Sequence, residues 1–313
     1  MAIAYVFPGQ GAQTIGMGKA LAEAYPAAQA VFDEVDAALG EKLSDLIWDG
    51  EIETLTLTQN AQPALMATSL AAMRALEAEG LALSDGDCVA GHSLGEYSAL
   101  AAAGALSISD AARLLRIRGA AMQEAVPVGV GAMAAILGLS YEQVTQIAQE
   151  AAQGQICQAA NDNDPSQVVV SGHKEAVERA ADLAKAAGAK RAMLLPVSAP
   201  FHCALMAPAA ERMQVALSDV AMSAPTVPLI ANVRADAISD PALIKELLVE
   251  QVTGSVRWRE SVLRMGEIGI TAAYEVGAGK ALSGMIKRIN RDITAYPAGT
   301  PEDIAKLLAS REV

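Results

Sequence analysis

A serine that could act as a nucleophile lies at the centre of the pentapeptide GHSLG, residues 91–95. It follows a short apolar run and precedes a helical pattern, and GxSxG between a strand and a helix is typical of a nucleophile elbow. Gly91 and Gly95 would allow the tight turn that exposes the Ser93 hydroxyl, and the N–H of Leu94 is the expected oxyanion donor. Small residues are common between strands and helices, so the pentapeptide alone leaves a structural turn as the alternative.

A nucleophilic serine needs a base, and the sequence has three histidines. His92 adjoins Ser93, so its side chain should leave the elbow in another direction and support the turn. His173 lies at a turn that opens a helix, where a solvated side chain is expected. His202 lies in SAPFHCALM, where the chain returns from a small inserted domain, and junction loops of this kind often line sites. His202 is therefore the best candidate base.

The group that would orient His202 is left open by the residue pattern. An ordinary α/β hydrolase supplies its residues in the order Ser, Asp or Glu, then His. Between Ser93 and His202, the acids Asp162 and Asp164 fall in a predicted turn, and none follows a late strand. After His202, an amide or backbone carbonyl near Gln251 could accept the imidazole Nδ1–H, although it would stabilise an imidazolium less than a carboxylate does.

Strands alternate with helices in both halves of the chain, which predicts an α/β fold with a mostly parallel sheet. In the first half the predicted elements are a strand at 2–9, helices broken near Tyr25-Pro26, a helix at 58–80, a strand at 87–93 and helices from 94 to Pro127. After Pro200 they are strands at 228–233, 272–277 and 294–299 and helices at 241–253, 257–269, 280–289 and 301–310.

The pattern changes between residues 126 and 197, where the predicted order is strand, helix, two strands, helix and strand. This βαββαβ order is the ferredoxin-like split unit, with NDNDPS (161–166) as the turn between its central strands. We therefore predict a large α/β-hydrolase-like domain of residues 1–125 and 198–313, with a small inserted ferredoxin-like α+β domain at 126–197.

Composition excludes several classes of function. The 313 residues are 52% hydrophobic with a net charge of −13, which argues against nucleic acid as the main partner. No membrane span or signal peptide is predicted, so the expected location is cytoplasmic. Cys88, Cys157 and Cys203 are widely spaced and predict neither a disulfide framework nor a metal site. The glycine-rich segments match neither the dinucleotide-binding nor the P-loop pattern.

Seven ordered motifs resemble the malonyl-CoA:acyl carrier protein transacylase family, which includes the acyltransferase domains of fatty acid and polyketide synthases. The likeness covers essentially the whole chain, which makes it far more specific than GxSxG alone. The motifs are FPGQGAQ (7–13), TQNAQPAL (58–65), GHSLGE (91–96), RIRGAAMQ (116–123), AANDNDPSQVVVSG (159–172), PVSAPFH (196–202) and GAGKALSGM (277–285).

The resemblance implies a role for each group around the nucleophile. Ser93 would carry the acyl group and His202 would be the base. The main-chain carbonyl of Gln251 would orient His202. The backbone N–H groups of Gln10 and Leu94 would form the oxyanion hole.

The resemblance also implies which residues bind the substrate. Arg118 would grip the free carboxylate of a malonyl group, because guanidinium offers a planar, charge-assisted fork to a carboxylate. Gln62 and Asn161 are further predicted substrate-binding residues. Leu94 and Phe201 resemble members that use malonyl groups, where methylmalonyl-type members tend to carry Gln and Ser.

The function implied is transfer of malonyl from malonyl-CoA to the phosphopantetheine thiol of holo acyl carrier protein, through a malonyl-serine intermediate, for fatty acid synthesis. No bound cofactor is expected. Because the carrier is acidic, it would need a basic docking surface on this chain. The candidate residues for that surface are Lys190, Arg191, Lys287, Arg288 and Arg291.

Three alternatives stay open at this point. A serine thioesterase or esterase would share GxSxG but release the acyl group to water. An acyltransferase of polyketide synthesis would carry a different acyl group. A non-catalytic acyl-binding or scaffold subunit is disfavoured by the intact set of Ser93, His202 and Arg118.

Overall fold

The computed structural model describes residues 2–84 and 86–311 and contains two β-sheets. Over these residues the strands are β1 Ile3–Phe7, β2 Cys88–Gly91, β3 Gly131–Leu137, β4 Cys157–Asp164, β5 Gln167–His173, β6 Arg191–Leu194, β7 Leu229–Ala231, β8 Asp236–Ile238, β9 Ala272–Glu275 and β10 Thr294–Pro297. The helices are α1 Lys19–Ala24, α2 Pro26–Leu39, α3 Leu43–Asp49, α4 Ile52–Thr56, α5 Thr58–Ala78, α6 Gly95–Ala102, α7 Ile108–Glu124, α8 Tyr141–Ala152, α9 Lys174–Ala186, α10 Ala207–Ser218, α11 Pro241–Thr253, α12 Trp258–Glu267, α13 Ala281–Ile289 and α14 Pro301–Arg311.

The large sheet has the strand order β10-β9-β1-β2-β7-β8 and is parallel up to β7. All five residues of β1 are buried, because helices cover both faces of the sheet. Tyr5 and Phe7 pack into the larger core on one face, and Ala4 and Val6 pack with Trp258 on the other. The antiparallel edge strand β8, which follows a turn with Ala235 at φ 52°, was not predicted.

The small sheet has the order β4-β5-β3-β6, and each neighbouring pair is antiparallel. Helices α8 and α9 cover one of its faces with an apolar core of their own. The predicted mixed α/β fold, with a largely parallel sheet and a small βαββαβ unit, is confirmed. The exact domain boundaries at 125/126 and 197/198 stay a prediction.

The prediction of a turn at NDNDPS (161–166) was wrong for its first four residues. Strand β4 continues to Asp164, and only 165 and 166 form the turn. The strand continues beyond its predicted end because its backbone forms hydrogen bonds with the segment before α12. The Asp162 N–H donates to the Val256 carbonyl at 2.9 Å. Its two buried carboxylates also find cations, Asp162 with Arg259 at 2.9 Å and Asp164 with Arg288 at 2.8 Å.

Glycines at both ends of the GHSLG turn let the backbone of three segments come together. A Cβ on Gly91 would lie 1.9 Å from the carbonyl carbon of Gly95, and a Cβ on Gly95 would lie 2.3 Å from the Phe7 carbonyl oxygen. Both distances are far below van der Waals contact and involve backbone atoms that cannot rotate away. The turn after β2 therefore needs glycine at both positions.

We expect Gly91→Ala to lower the free energy of unfolding by about 3 kcal/mol, because the added methyl overpacks rigid backbone. Gly284→Ala is the matched control: it lies in α13, where the new Cβ meets only the end of the Arg288 side chain at 3.4 Å. That control should be neutral or more stable by up to about 1 kcal/mol, since alanine favours helix. Urea unfolding measures both, and equal midpoints would contradict this account of the turn.

Candidate active site

Ser93 occupies the sharp turn between β2 and α6 in a strained backbone conformation. Its φ is 55°, in the left-handed region that non-glycine residues rarely adopt. The Ser93 N–H donates to Asn232 Oδ1 at 2.8 Å, and Asn232 Nδ2 donates to the Gly91 carbonyl at 2.7 Å. Asn232 thus ties both sides of the turn to the end of β7, which maintains the strain and keeps the Ser93 hydroxyl in the cleft.

His202 lies beside Ser93 in the orientation that a base requires. Its Nε2 is 2.8 Å from Ser93 Oγ, and its Nδ1 is 2.8 Å from the main-chain oxygen of Gln251. A carbonyl only accepts, so the proton of the neutral ring is on Nδ1 and the lone pair of Nε2 faces the serine hydroxyl. The pair can therefore activate the hydroxyl without a carboxylate as third member.

Burial and, after it, the nearby positive charge of Arg118 together lower the pKa of His202 to about 3. Both causes disfavour the imidazolium form. His202 is therefore neutral, and able to accept a proton, well below the pH at which an ordinary histidine becomes charged.

Arg118 extends from α7 into the same space and is only 1% exposed. Its Nη1 donates to Gln62 Oε1 at 2.7 Å, and its Nη2 donates to Gln251 Oε1 at 2.7 Å and Ser93 Oγ at 3.1 Å. All these acceptors are neutral, and the buried Nε has no partner among the described residues. A guanidinium in this setting, beside the nucleophile, is suited to bind an anionic group attached to the serine.

Gln251 connects the base to the cation. Its main-chain oxygen accepts from His202, while its side-chain Nε2 donates to the Ser93 carbonyl oxygen at 2.9 Å and to Glu96. Glu96 also accepts the Asn232 N–H at 2.6 Å, and burial raises the pKa of its carboxyl to about 8. One buried network therefore includes the nucleophile, the base and the cation.

Two backbone N–H groups of the cleft lining are available as donors near Ser93. Gln10 follows β1 and Leu94 is the N-cap residue before α6, and both line the cleft with Ser93. Their N–H groups bond to no other group among the residues described. A pair of such donors next to a serine is suited to stabilise the oxyanion of a tetrahedral intermediate.

A chain of side-chain hydrogen bonds links Gln10 to Arg118. The Thr58 hydroxyl donates to Gln10 Oε1 at 2.9 Å and accepts from Gln62 Nε2 at 2.9 Å, and Gln62 then accepts from Arg118. Thr58 and Gln62 lie one turn apart on α5 and share a face. This chain fixes the guanidinium and the Gln10 loop with respect to each other.

These groups open into a cleft of about 760 Å³ between the two sheets. Its lining is mostly apolar and includes Phe201, while Asn161 and Asn163 of β4 add amides from the small sheet. The volume suits an elongated small molecule rather than a macromolecular chain. Phe201 also packs against the small-sheet cluster that contains Met133 and Val169, so it joins the two sheets at the cleft.

The other two histidines have structural partners. His92 Nε2 is 2.9 Å from Asn163 Oδ1, and its ring lies 5.8 Å from that of Trp258. His173 precedes α9 and its Nδ1 accepts the Ile156 N–H at 2.9 Å. Neither therefore competes with His202 for Ser93.

Every predicted site residue lines the cleft or contacts a residue that does, but Asn232, Asn163 and Glu96 were missed. Asn232 follows β7 at the edge where the parallel strands end, which is the usual position of site residues in such sheets. That location was a usable signal. Over residues 2–84 and 86–311, no group of His, Cys, Asp or Glu could hold a metal ion, and no helix is long and apolar enough to span a membrane.

Comparison with known proteins gives consistent matches. The family model for the acyl transferase domain matches residues 4–293. The malonyl CoA-acyl carrier protein transacylase of Bacillus subtilis (strain 168) is 50% identical over 303 residues, which are 96% of this chain and 95% of that protein. The acyl-carrier-protein-S-malonyltransferase from Bartonella henselae has a crystal structure with a TM-score of 0.96 at 55% identity, covering 100% of both chains. A malonyl-transacylase solved in complex with a holo type II PKS acyl-carrier protein has a TM-score of 0.95 at 43% identity, covering 99% of this chain and 100% of that one.

The low pKa of His202 predicts how serine reactivity depends on pH. Labelling of Ser93 by phenylmethylsulfonyl fluoride should keep a nearly constant rate from roughly pH 5 to 8, because His202 stays neutral there, whereas an ordinary histidine titrates near pH 6.5. Intact mass gives the rate, and Ser93→Ala should remain unlabelled. A half-loss of rate near pH 6.5 would show that the base titrates normally.

Proposed function

The chain belongs to the acyl transferase domain family, and from that premise we propose that it is an acyl-carrier-protein S-malonyltransferase. It transfers malonyl from malonyl-CoA to the phosphopantetheine thiol of holo acyl carrier protein, supplying extender units for fatty acid synthesis. The observation that carries the proposal is the buried Arg118 guanidinium, which lies 3.1 Å from the Ser93 hydroxyl and has neutral partners. A carboxylate on the acyl group is the ligand that this cation favours.

The first half-reaction forms the acyl-serine. Ser93 Oγ attacks the thioester carbonyl of malonyl-CoA while His202 Nε2 takes the hydroxyl proton, and the N–H groups of Gln10 and Leu94 stabilise the oxyanion. The tetrahedral intermediate collapses with cleavage of the C–S bond, and His202 returns the proton to the departing thiolate. The products are free CoA and malonyl-Ser93.

The second half-reaction is the reverse with another thiol. The phosphopantetheine sulfur attacks the Ser93 ester while His202 takes the proton of the thiol. Ser93 Oγ then leaves the acyl carbon and receives that proton from His202. A thiolate is a weak base, since thiols ionise near pH 8.5, and it therefore leaves far more readily than the nitrogen of an amide does. Orientation of His202 by a neutral carbonyl is therefore adequate for exchange between thioesters.

Arg118 selects the acyl group through both binding and reactivity. After burial, its positive charge is the largest cause of the low pKa of His202. When a malonyl carboxylate pairs with Arg118, that charge is offset and His202 becomes a stronger base. An acetyl group leaves the charge in place, so the wrong substrate also meets a weaker base.

Phe201 is proposed to discriminate against a branched acyl group. It adjoins the base and lines the cleft, where an α-methyl group would crowd its ring. A clash of methyl size changes relative rates by about 1–3 kcal/mol, so the preference for malonyl over methylmalonyl would be moderate. Gln62 supports the carboxylate site through Arg118, and Asn161 is proposed to bind the thioester arm.

The carrier would approach an exposed basic area of this acidic chain. The candidate side chains, Lys190, Arg191, Lys287, Arg288 and Arg291, are all exposed. Arg288 is partly engaged by Asp164, which leaves Lys287 and Arg291 on the same segment as better candidates. The cytoplasm is the proposed location, and no bound cofactor is proposed.

A thioesterase is the alternative that shares most of this chemistry. It is less favoured because Arg118 would have no role in releasing uncharged acyl groups and because no carboxylate orients His202. The two activities differ in the fate of malonyl-Ser93, which a thioesterase gives to water and a transferase holds until a thiol arrives.

Brief mixing with malonyl-CoA should add one malonyl group to the protein, detected by intact mass, and Ser93→Ala should show no adduct. Adding holo acyl carrier protein should then discharge the adduct onto the carrier faster than buffer alone does. No adduct, with free CoA accumulating at the same rate with and without carrier, would support a thioesterase instead.

We expect Arg118→Ala to reduce the preference for malonyl-CoA over acetyl-CoA roughly thirtyfold, since a hydrogen bond to a charged group contributes about 2 kcal/mol. Acylation rates with the two donors, compared as kcat/KM, give the preference. Arg113→Ala is the matched control, because Arg113 is on the same helix but bonds to Asp110 at the surface. An unchanged preference in Arg118→Ala would remove the proposed role of this residue.

A further inference from the structure

Glu96 is a buried carboxyl group in the GHSLGE motif that the mechanism above does not use. It lies in the first turn of α6 and is 2% exposed. One of its oxygens accepts the Asn232 N–H at 2.6 Å and the other accepts from Gln251 Nε2. No cation among the described residues forms an ion pair with it directly.

Arg118 is the complementary case, a buried cation whose hydrogen-bond partners are neutral. The side-chain amide of Gln251 separates the two groups: its Oε1 accepts from Arg118 at 2.7 Å and its Nε2 donates to Glu96. Each buried charge is thus one amide away from its opposite. In a site shielded from water, charges at this separation influence each other strongly.

We propose that Glu96 is a positioning residue that sets how strongly Arg118 binds the carboxylate of the acyl group. Two anions interact with the same Arg118 guanidinium: Glu96 through the Gln251 amide and the acyl carboxylate by direct contact. With an acetyl donor, Glu96, once ionised, is the only anion in the network. With a malonyl donor, the acyl carboxylate contacts Arg118 directly, and the charge of Glu96 becomes a competing one.

This inference rests on the proposed function, because it requires Arg118 to bind a malonyl carboxylate. Its distinctive consequence is that removing the charge of Glu96 should increase the preference for malonyl. A residue that only supported the fold would slow both donors by the same factor. The ratio of the two rates therefore separates a charge effect from a loss of structure.

At pH 9, above the pKa of about 8 that burial gives Glu96, Glu96→Gln should raise the malonyl-to-acetyl ratio of kcat/KM by roughly tenfold, given a charge interaction across one amide at a partly shielded site. Both absolute rates should fall, because a glutamine NH₂ would face a donor where Glu96 has an acceptor. Glu275→Gln is the matched control: Glu275 is equally buried and accepts two backbone N–H groups, from Leu282 and Ser283, outside the Arg118 network. Its ratio should equal that of the unmodified protein.

The unmodified protein offers the same test without any substitution. Burial raises the pKa of Glu96 to about 8. Of the neighbouring titratable groups, burial lowers the pKa of His202 to about 3 and raises the pKa of Tyr97 to about 12, so neither changes charge between pH 7 and 9. Arg118 is the charged group that acts on Glu96, and Asn232 and Gln251 are neutral. The malonyl-to-acetyl ratio should therefore fall severalfold between pH 7 and 9 as Glu96 ionises.

The outcomes distinguish the inference from the function on which it rests. A ratio that rises in Glu96→Gln, stays constant in Glu275→Gln and falls with pH supports the role of Glu96. A malonyl adduct on Ser93 together with a ratio that is constant in Glu96→Gln, or flat with pH if that variant does not fold, would overturn it. The absence of any malonyl adduct on the unmodified protein would instead overturn the proposed function.

Discussion

The site depends above all on Gln251, a fully buried residue that makes a different contact with each polar group it has. Its main-chain oxygen orients His202, its side-chain oxygen accepts from Arg118, and its side-chain nitrogen donates to Glu96 and to the backbone of Ser93. One residue near the end of α11 thereby sets the tautomer of the base and the position of the cation. Because α11 is itself packed into the main core through Leu247 and Leu248, the geometry of the site depends on the packing of that core.

The carboxyl edge of the parallel sheet explains why such distant residues meet. β1 ends before Gln10, β2 ends before Ser93 and β7 ends before Asn232, and these three strands are direct neighbours. The loop after one strand carries the proposed oxyanion donor, the next carries the proposed nucleophile, and Asn232 after the third bonds to the elbow in its strained form. The helices contribute the charged and amide side chains around these loops, and those of Arg118, Gln251 and Glu96 are almost fully buried.

Much of the site could be predicted from sequence because its motifs are local. The GHSLG turn carries its own signature, and with two of three histidines disfavoured by their positions, His202 was left as the base. The roles of Gln251 and Arg118 were predicted from family resemblance alone. The hydrogen bond between their side chains was not predicted, since 133 positions separate the two residues. The extent of strand β4 and the place of Glu96 in the site could not be predicted, because asparagine and aspartate favour turns locally. A glutamate three residues after a serine, as Glu96 is after Ser93, is also the spacing of an ordinary capping box. Contacts with residues that are distant in the sequence determine both features. Asp162 and Asp164 of the strand pair with Arg259 and Arg288, and Glu96 accepts hydrogen bonds from Asn232 and Gln251.

Strand β4 has a consequence for how this architecture can be rearranged. Its side chains alternate, with Asn161 and Asn163 facing the cleft and Asp162 and Asp164 paired with arginines of α12 and α13. The same strand thus forms part of the cleft wall and supplies the carboxylates that pair with Arg259 and Arg288, which lie much later in the chain. A chimaera that exchanged the inserted unit alone would bring amides suited to its own acyl donor but could bury carboxylates without their arginines. A chimaera that transfers the substrate preference of one relative to another would therefore have to include α12 and α13 together with the inserted unit.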